Sequence, residues 1–277
     1  PCPHMDSQGG TDVWVAALSP AGACQWTRQL DFGGSDVAED LSVDAAGRLW
    51  VTGACADGTL APCDVGAGRN VFLTRLEIAA DAGEVTSWAF GGGGDQAGLG
   101  VHAASGAVLL TGTFGTSLDF GVPLPLLGSE GHAFLASLST DVAGQLLPGA
   151  GWSEGFPGTA PQVGAALAMD SKGAVALTGT YGGAIDLGTG ALPEVAGGGG
   201  GAARTNAFVG AFDAAGTVQW SRAFGDGKSV VTAAAVAVDG KGDMVLAGSL
   251  SGAASCGDDP AAGTLESAGA ADVFLAR

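Results

Sequence analysis

The stretch Trp26–Gly53 reads W-T-R-Q-L-D-F-G-G-S-D-V-A-E-D-L-S-V-D-A-A-G-R-L-W-V-T-G, and its pattern returns along the chain. Each copy opens on a tryptophan, passes through a phenylalanine and a turn, and closes on a glycine. The opening tryptophans lie 62, 64 and 68 residues apart and are Trp26, Trp88, Trp152 and Trp220. Because self-similarity at such a period is the signature of a repeat protein, the stretch predicts one supersecondary unit per copy.

Each copy of the pattern predicts four short β-strands. The segment Asp12–Leu18, D-V-W-V-A-A-L, has the alternation of a strand with one buried face. Related strands begin at Asn70, His132, Asn206 and Ala271. The turn sequence of Asp44–Gly47, with Asp first and Gly last, recurs at Asp170–Gly173 and Asp239–Gly242. In such a turn the aspartate caps backbone amides and the glycine accepts a positive φ, so we expect a hairpin at each site.

Four strands per copy, joined by hairpin turns, are typical of β-propeller blades. An α-solenoid is excluded because no segment of roughly ten residues has helical apolar spacing without a glycine. A two-sheet β-sandwich would not need the internal repetition, and a β-solenoid would repeat on a shorter period. We therefore expect an all-β fold, a β-propeller built of four-stranded antiparallel blades. It forms a single domain over residues 1–277, with about four repeat units that are incomplete at both ends.

Two sets of aromatic residues keep the same position from copy to copy. One set lies on the alternating strands and comprises Trp14, Phe72, Phe134, Phe208 and Phe274. The other set comprises the four opening tryptophans. Such registry is what packing between neighbouring blades requires, so we expect both sets to be core residues.

The stretch Phe208–Gly225, F-V-G-A-F-D-A-A-G-T-V-Q-W-S-R-A-F-G, followed by Ala235–Gly248, A-V-A-V-D-G-K-G-D-M-V-L-A-G, carries a family resemblance. It resembles the bacterial β-propeller repeat family of secreted and surface proteins, including myxobacterial-type lipoprotein repeats. The resemblance covers nearly the whole chain and implies the fold. It implies no catalytic residue, because the family shares none. The departures are the P-G-A-G-W-S-E-G-F-P-G stretch of Pro148–Gly158 and a cysteine-containing loop.

Similar propellers imply which strand lies where in a blade. The L-S-V-D strand is then innermost and the tryptophan strand outermost. The chain would hold two outer strands, three whole blades and three further strands, 17 in all. Closing these into a four-bladed ring would leave a redundant third strand, so we expect a segment of a larger ring of roughly six to eight blades. An open blade edge needs covering by further sequence or by a partner, which makes self-assembly through the edges an expectation.

The net charge of −18 excludes two classes of partner. Nucleic acids and anionic membranes both require a basic footprint, which this chain lacks. Acidic surfaces keep proteins soluble and monomeric. No run of about 20 apolar residues is present, so we expect no membrane span. The chain begins in mid-repeat at Pro1. We expect a secreted or cell-surface protein, with any export signal or lipid anchor in sequence outside these residues.

Five cysteines bear on the compartment. Cys55 and Cys63 would close the short loop A-C-A-D-G-T-L-A-P-C, and we interpret them as a disulfide. Zinc is disfavoured because no CxxC pair or nearby histidine accompanies them. Cys2 and Cys24 are candidates for a second disulfide. The odd number leaves Cys256 to pair with something outside this chain.

Residues with catalytic potential are few. His4, His102 and His132 lie far apart in sequence, and no HExxH or G-x-S-x-G motif is present. Gly227-Lys228-Ser229 lacks the first glycine of a phosphate-binding loop and lies between predicted strands, so we interpret it as coincidence. We therefore predict no catalytic residue and no cofactor-binding residue.

Acidic residues leave calcium as the one open cofactor. Asp36, Glu39 and Asp40 cluster in one segment, and Asp258-Asp259 form another pair. Loop carboxylates can supply the oxygens that calcium requires, but no D-x-D-x-D-G run is present. We interpret these acids as solvated loop residues and turn caps, and we predict no metal ligand.

These observations favour a non-enzymatic, extracellular or cell-surface β-propeller that acts in adhesion, scaffolding or assembly. Its partner would be a protein or a surface glycan, bound through loops that vary between copies. Those loops include Cys55–Cys63, the glycine run Gly197–Gly201 and the acidic segment near Asp258. Two alternatives stay open. One is a carbohydrate-binding or polysaccharide-active secreted domain, and the other is a structural subunit of a surface appendage.

Overall fold

The structure, a computed structural model, describes residues 2, 4–7, 10–56, 61–65, 68–78, 83–104, 106–124, 131–195, 204–255 and 263–277. Within these ranges the regular elements are β-strands, and no helix has the length and apolar character needed to cross a bilayer. The strands are β1 (Val13–Leu18), β2 (Cys24–Leu30), β3 (Ser35–Val43), β4 (Arg48–Ala56), β5 (Arg69–Glu77), β6 (Val85–Phe90), β7 (Ala97–Ala104), β8 (Ala107–Phe114), β9 (His132–Thr140), β10 (Leu146–Gly155), β11 (Gln162–Met169), β12 (Val175–Tyr181), β13 (Asn206–Phe212), β14 (Val218–Phe224), β15 (Val230–Val238), β16 (Met244–Ser251), β17 (Ala253–Ser255), β18 (Thr264–Glu266) and β19 (Asp272–Ala276).

The strands form small sheets in chain order. Three sheets are complete, with the orders β3-β4-β5-β6, β7-β8-β9-β10 and β11-β12-β13-β14. β1 pairs with β2, and β15, β16 and β19 form a three-stranded sheet. The predicted all-β propeller of four-stranded antiparallel blades is confirmed. Within the described residues these sheets also hold the expected 17 strands, and the short hairpin β17–β18 is an addition that the sequence did not predict.

The L-S-V-D strand, β3, and the strand of the opening tryptophan Trp88, β6, lie at opposite edges of one complete sheet. The assignment of inner and outer strands requires this arrangement. The chain divides into two compact units. Unit 1 comprises Pro1–Leu110, Phe114–Leu124 and Ser137–Gly151, and unit 2 comprises Thr111–Thr113, Pro125–Ala136 and Trp152–Arg277. A single domain over residues 1–277 and a larger ring both stay predictions.

The glycine that closes three of the four copies, Gly53, Gly179 or Gly248, lies under an aromatic ring. In unit 2, a Cβ at Gly179 of β12 would collide with the carbonyl oxygen of Val163 and lie 2.6 Å from the ring of Phe208. The strand pairing shifts by one residue beside this point, between Gly164 and Ala166, which brings the carbonyl close. Gly53 and Gly248 occupy the same position beside the same kind of shift. A side chain at this position would collide with both the bulged strand and the aromatic ring, so the position requires glycine.

The threonine before this glycine fixes the same pair of strands. Thr178 is buried and its Oγ1 donates a hydrogen bond to the carbonyl of Phe208, at 2.6 Å. Thr52 makes the equivalent bond to the carbonyl of Phe72, at 2.8 Å. The T-G pair thus joins the second strand to the aromatic position of the third strand by a hydrogen bond and by close packing.

The hairpin turns are capped as predicted. Asp44 accepts hydrogen bonds from the backbone amides of Ala46 and Arg48, and Gly47 has a φ of 80°. The hairpin between β13 and β14 uses the same device, which the sequence pattern did not predict. There, Asp213 accepts from the amides of Ala215 and Thr217. Each capped turn places a carboxylate at a fixed point of the repeat.

Candidate partner-binding faces and an acidic cluster

One member of the aromatic set on the third strands is exposed. Phe72, Phe134 and Phe208 have no exposed surface and Phe274 has 4%, yet Trp14 of β1 is 64% exposed. The prediction that all five are core residues is therefore wrong for Trp14. The reason is positional, since within the described residues β1 pairs only with β2.

The buried members show what such an aromatic residue packs against. In unit 1, Phe72 of β5 lies in one apolar cluster with Val13 and Val15 of β1. In unit 2, Phe274 of β19 lies in one cluster with Ala207 and Val209 of β13. In both units, the aromatic residue of one sheet shares an apolar cluster with the two residues that flank the aromatic position of the preceding sheet. The two clusters therefore repeat one packing motif.

The motif has two parts, an aromatic ring and a pair of aliphatic side chains, and each part also occurs once as an exposed surface. Trp14 is the exposed ring in unit 1. In unit 2, the residues that flank Phe274 are Val273 and Leu275, which are 81% and 70% exposed. They occupy the positions that Val13 and Val15 hold in β1. We call the surface around Trp14 the ring face, and the surface formed by Val273 and Leu275 the aliphatic face.

The ring face surrounds a cavity of about 420 Å³ in unit 1. The cavity is lined by Trp14, Val15, Ala16, Ala38, Glu39, Asp40, Leu41 and Val51. Leu41 is exposed, and so is Glu39. The carboxylate of Asp40 is engaged, since its oxygens accept hydrogen bonds from the amides of Leu41 and Val101. Clusters of exposed apolar side chains of this kind mark interaction sites.

The prediction that the four opening tryptophans are core residues is confirmed for Trp26 and wrong for Trp220. Trp26 is buried, while Trp220 is exposed and Trp88 and Trp152 are half-buried. The indole of Trp26 donates to the carbonyl of Ile78, and the indole of Trp152 donates to the carbonyl of Ala214. Trp152 also covers Gly216 in the turn after Ala214. The side chain therefore lies against a hairpin of another sheet and keeps its polar edge satisfied.

A cluster of three carboxylates lies elsewhere in unit 1. Asp12 precedes β1, Asp31 follows β2, and Asp36 lies at the start of β3. One carboxylate oxygen from each lies within 4.8 Å of the other two. The backbone amide of Gly33 donates to Asp31, and the side-chain amide of Gln29 donates to Asp12.

Asp36 is the buried member, with 2% of its surface exposed. Its Oδ2 accepts a hydrogen bond from the amide of Phe32, at 2.9 Å. Its Oδ1 is buried and has no hydrogen-bond partner among the described residues. Burial raises the pKa of Asp36, and the negative charges of Asp12 and Asp31 add to the rise, while the bond from Phe32 opposes it.

The acids singled out from the sequence are distributed differently from the prediction. Asp36 joins Asp12 and Asp31, and Glu39 and Asp40 lie at the ring face instead. Asp95, the counterpart of Asp36 in the next copy, accepts a hydrogen bond from the amide of Arg69. Asp258, Asp259 and the run Gly197–Gly201 lie outside the described residues. A weak signal for the cluster was present, because Asp12 stands where two of the four sister strands have asparagine, at Asn70 and Asn206.

The cysteines pair as the sequence suggested. Cys2 is disulfide-bonded to Cys24, with Cα atoms 5.3 Å apart, and Cys55 is bonded to Cys63, with Cα atoms 6.2 Å apart. Both bridges lie in unit 1. Cys256 lies outside the described residues. Two disulfides indicate an oxidising compartment.

The remaining candidates for chemistry are structural. The amides of Lys228 and Ser229 donate to the carboxylate of Asp226, so the chain itself supplies the anion in the loop containing G-K-S. His4 lies beside Asp6 at the surface, while His102 lies on β7 and His132 begins β9. The three histidines therefore belong to different elements.

No family model matches this chain, and no curated protein matches it. The resemblance to bacterial β-propeller repeats stays a prediction that rests on the quoted motifs.

Proposed function

We propose that the protein is a non-enzymatic scaffold that assembles with a second copy of itself. In this assembly the ring face of one copy packs on the aliphatic face of the next. The proposal deepens the expected role in adhesion, scaffolding or assembly by naming the partner. The carrying observation is that the two exposed apolar sets are the two halves of one packing motif, which the chain uses internally between β1 and β5 and between β13 and β19.

The complementarity is chemical as well as positional. Trp14 offers a flat ring, and Val273 and Leu275 offer two aliphatic side chains with the spacing of Val13 and Val15. Burying an aliphatic or aromatic side chain of this size contributes about 1.5–3 kcal/mol. A stable contact needs roughly 800 Å² per partner, which further exposed residues, Val37, Leu41 and Val43 on β3 and Val245 on β16, would help to provide.

The compartment forms part of the proposal. Disulfides persist in secreted and surface proteins, and the two bridges in unit 1 support a location outside the cytoplasm. We propose that the protein is secreted or held at the cell surface, where rigid repeats with variable loops suit binding. The resemblance to surface repeat proteins points the same way.

The experiment measures particle mass by light scattering and sedimentation from low to high micromolar protein. The wild-type mass is expected to rise above 26.7 kDa with concentration. Trp14→Lys removes the ring, and Val273→Asp with Leu275→Asp charges the aliphatic face, so each variant should stay monomeric. Val142→Asp is the matched control, because Val142 is a fully exposed apolar residue outside both faces.

Mixing the two monomeric variants gives the decisive result. Trp14→Lys keeps its aliphatic face, and the double aspartate variant keeps its ring face. An equimolar mixture should therefore form a dimer that stops at two copies. Wild-type protein that stays at 26.7 kDa across the concentration range would contradict the proposal. So would a loss of assembly in the Val142→Asp control.

Carbohydrate binding is a second candidate, and one observation favours it. Trp14 lies in the same cavity as the exposed carboxylate of Glu39, and an exposed tryptophan can stack on a sugar ring. Hydrolysis is less favoured, since the second acid of the cavity, Asp40, is held by two backbone amides. A glycan array probed with wild-type and Trp14→Lys protein tests this candidate. Binding that disappears with Trp14→Lys supports it, and an array without bound glycan contradicts it.

A further inference from the structure

We propose that Asp12, Asp31 and Asp36 form a divalent-cation site in unit 1, and that calcium is the ion it takes. The site is independent of the proposed assembly. It departs from the interpretation, drawn from sequence, of Asp36 as a solvated loop residue or turn cap.

The spacing of the three carboxylates suits one shared ion. Calcium lies about 2.3–2.6 Å from its oxygen ligands, so two oxygens on one ion are separated by at most about 5 Å. The three oxygens lie within 4.8 Å of one another. They come from the ends of separate strand segments, so the fold itself holds them together. Water and backbone carbonyls would supply the remaining oxygens that calcium needs.

Asp36 gives an independent reason for an ion at this point. A buried carboxylate is costly unless a cation or hydrogen-bond donors compensate its charge. Oδ2 of Asp36 has the amide of Phe32, but its buried Oδ1 has no donor among the described residues. Two further carboxylates lie beside it, and both add negative charge. A divalent cation would coordinate Oδ1 of Asp36 and also offset the repulsion between the three carboxylates.

Another copy of the repeat shows that the position of Asp12 does not require a charge. One residue of unit 2 that corresponds to Asp12 is Asn206, whose Oδ1 accepts a hydrogen bond from the amide of Gly227 in the loop between two sheets. A neutral amide therefore suffices for that loop. In unit 1, Asp12 brings a charge to the same position and faces Asp31 and Asp36. The loop does not require these three negative charges, whereas a bound cation would be stabilised by them.

Neighbouring groups already orient the carboxylates. The side-chain amide of Gln29 donates to Asp12, and the amide of Gly33 donates to Asp31. Together with the bond from Phe32 to Asp36, these donors fix the orientation of the three carboxylates. Outer partners that hold ligands in this way are a general feature of metal sites.

The test is calorimetric titration of chelator-treated protein with calcium chloride. Wild-type protein is expected to bind one ion with a Kd on the order of 10⁻⁴ to 10⁻³ M, the range of extracellular calcium modules. Asp31→Asn and Asp36→Asn each remove a ligand charge and should weaken binding by at least about tenfold. Asp95→Asn is the matched control, because Asp95 is the counterpart of Asp36 and should leave the affinity unchanged.

Thermal unfolding gives a second readout that does not depend on heats of binding. Calcium should raise the melting temperature of wild-type protein and of Asp95→Asn, but not that of Asp36→Asn. The Asp36→Asn variant should fold, since it removes a buried charge and keeps an acceptor for Phe32. Two results would overturn the site: no binding heat in the wild type, or an equal rise in melting temperature with sodium chloride at matched ionic strength.

Discussion

The substitution Gly179→Ala tests the contact that defines the repeat. The added methyl group would collide with the carbonyl oxygen of Val163 and lie 2.6 Å from two ring carbons of Phe208. Neither obstacle is the end of a flexible chain, since one is backbone and the other is a ring with no exposed surface. Overpacking of a core costs about 1–3 kcal/mol and occasionally more, and two rigid obstacles place this variant near the upper end, at about 3 kcal/mol.

The assay is urea unfolding of the full chain followed by far-ultraviolet circular dichroism. The control is Gly240→Ala, because Gly240 lies in a turn of the same unit with open space at its Cβ position and no positive φ. That variant should change the free energy of unfolding by less than about 0.5 kcal/mol. Equal unfolding midpoints for Gly179→Ala and Gly240→Ala would refute the reasoning.

A double variant sharpens the same test. Phe208→Leu removes the ring that the new methyl group meets, at its own cost of cavity formation. The combined variant Gly179→Ala with Phe208→Leu should therefore be less destabilised than the sum of the two single variants. Strict additivity would show that the ring and the glycine do not interact, which contradicts the packing described above.

Two further outcomes are expected. Burial raises the pKa of Asp44, but hydrogen bonds from the Arg48 amide, the Trp50 indole and the Arg48 guanidinium outweigh it and lower the pKa. The ionised Asp44 therefore stabilises the fold at pH values above the ordinary carboxyl pKa of about 3.9, and this stabilisation is lost as pH falls through the lowered pKa. Between about pH 7 and about pH 3, the wild-type protein should therefore lose more stability than Asp44→Asn, as measured by urea midpoints. Replacing Cys55 and Cys63 together by alanine should cost about 2–3 kcal/mol by the same assay, because the bridge restricts a short unfolded loop, and an unchanged midpoint would contradict this.

The architecture was predictable because it depends on local signals. Apolar alternation placed the strands, and Asp and Gly at fixed turn positions placed the hairpins, as the caps at Asp44 and Asp170 confirm. The role of Gly179 was not predictable in this way. It depends on Phe208, which lies on the next strand, and on a bulge in the preceding one. Only the recurrence of glycine in register with an aromatic residue hinted at the contact.

The candidate sites were less predictable for a related reason. Asp36, Glu39 and Asp40 are neighbours in sequence, yet strand geometry directs Asp36 to Asp12 and leaves Asp40 bonded to Val101 of β7. Exposure of Trp14 depends on which strands are paired, whereas registry with its sister residues predicted a buried side chain. Departures from the repeat pattern, such as Asp12 in place of asparagine, were the informative positions.

The aspartate caps of the hairpins have a consequence for how such chains evolve. Hydrogen bonds from the amides of Ala174 and Lys172 lower the pKa of Asp170, and those from the amides of Lys241 and Asp243 lower the pKa of Asp239. The carboxylates in these two turns therefore stay ionised. Each carboxylate is required by backbone geometry, and no basic residue need accompany it. A gene that lengthens by duplicating a unit with such a turn therefore adds fixed anionic charge. These turn carboxylates contribute to the isoelectric point of about 4.1.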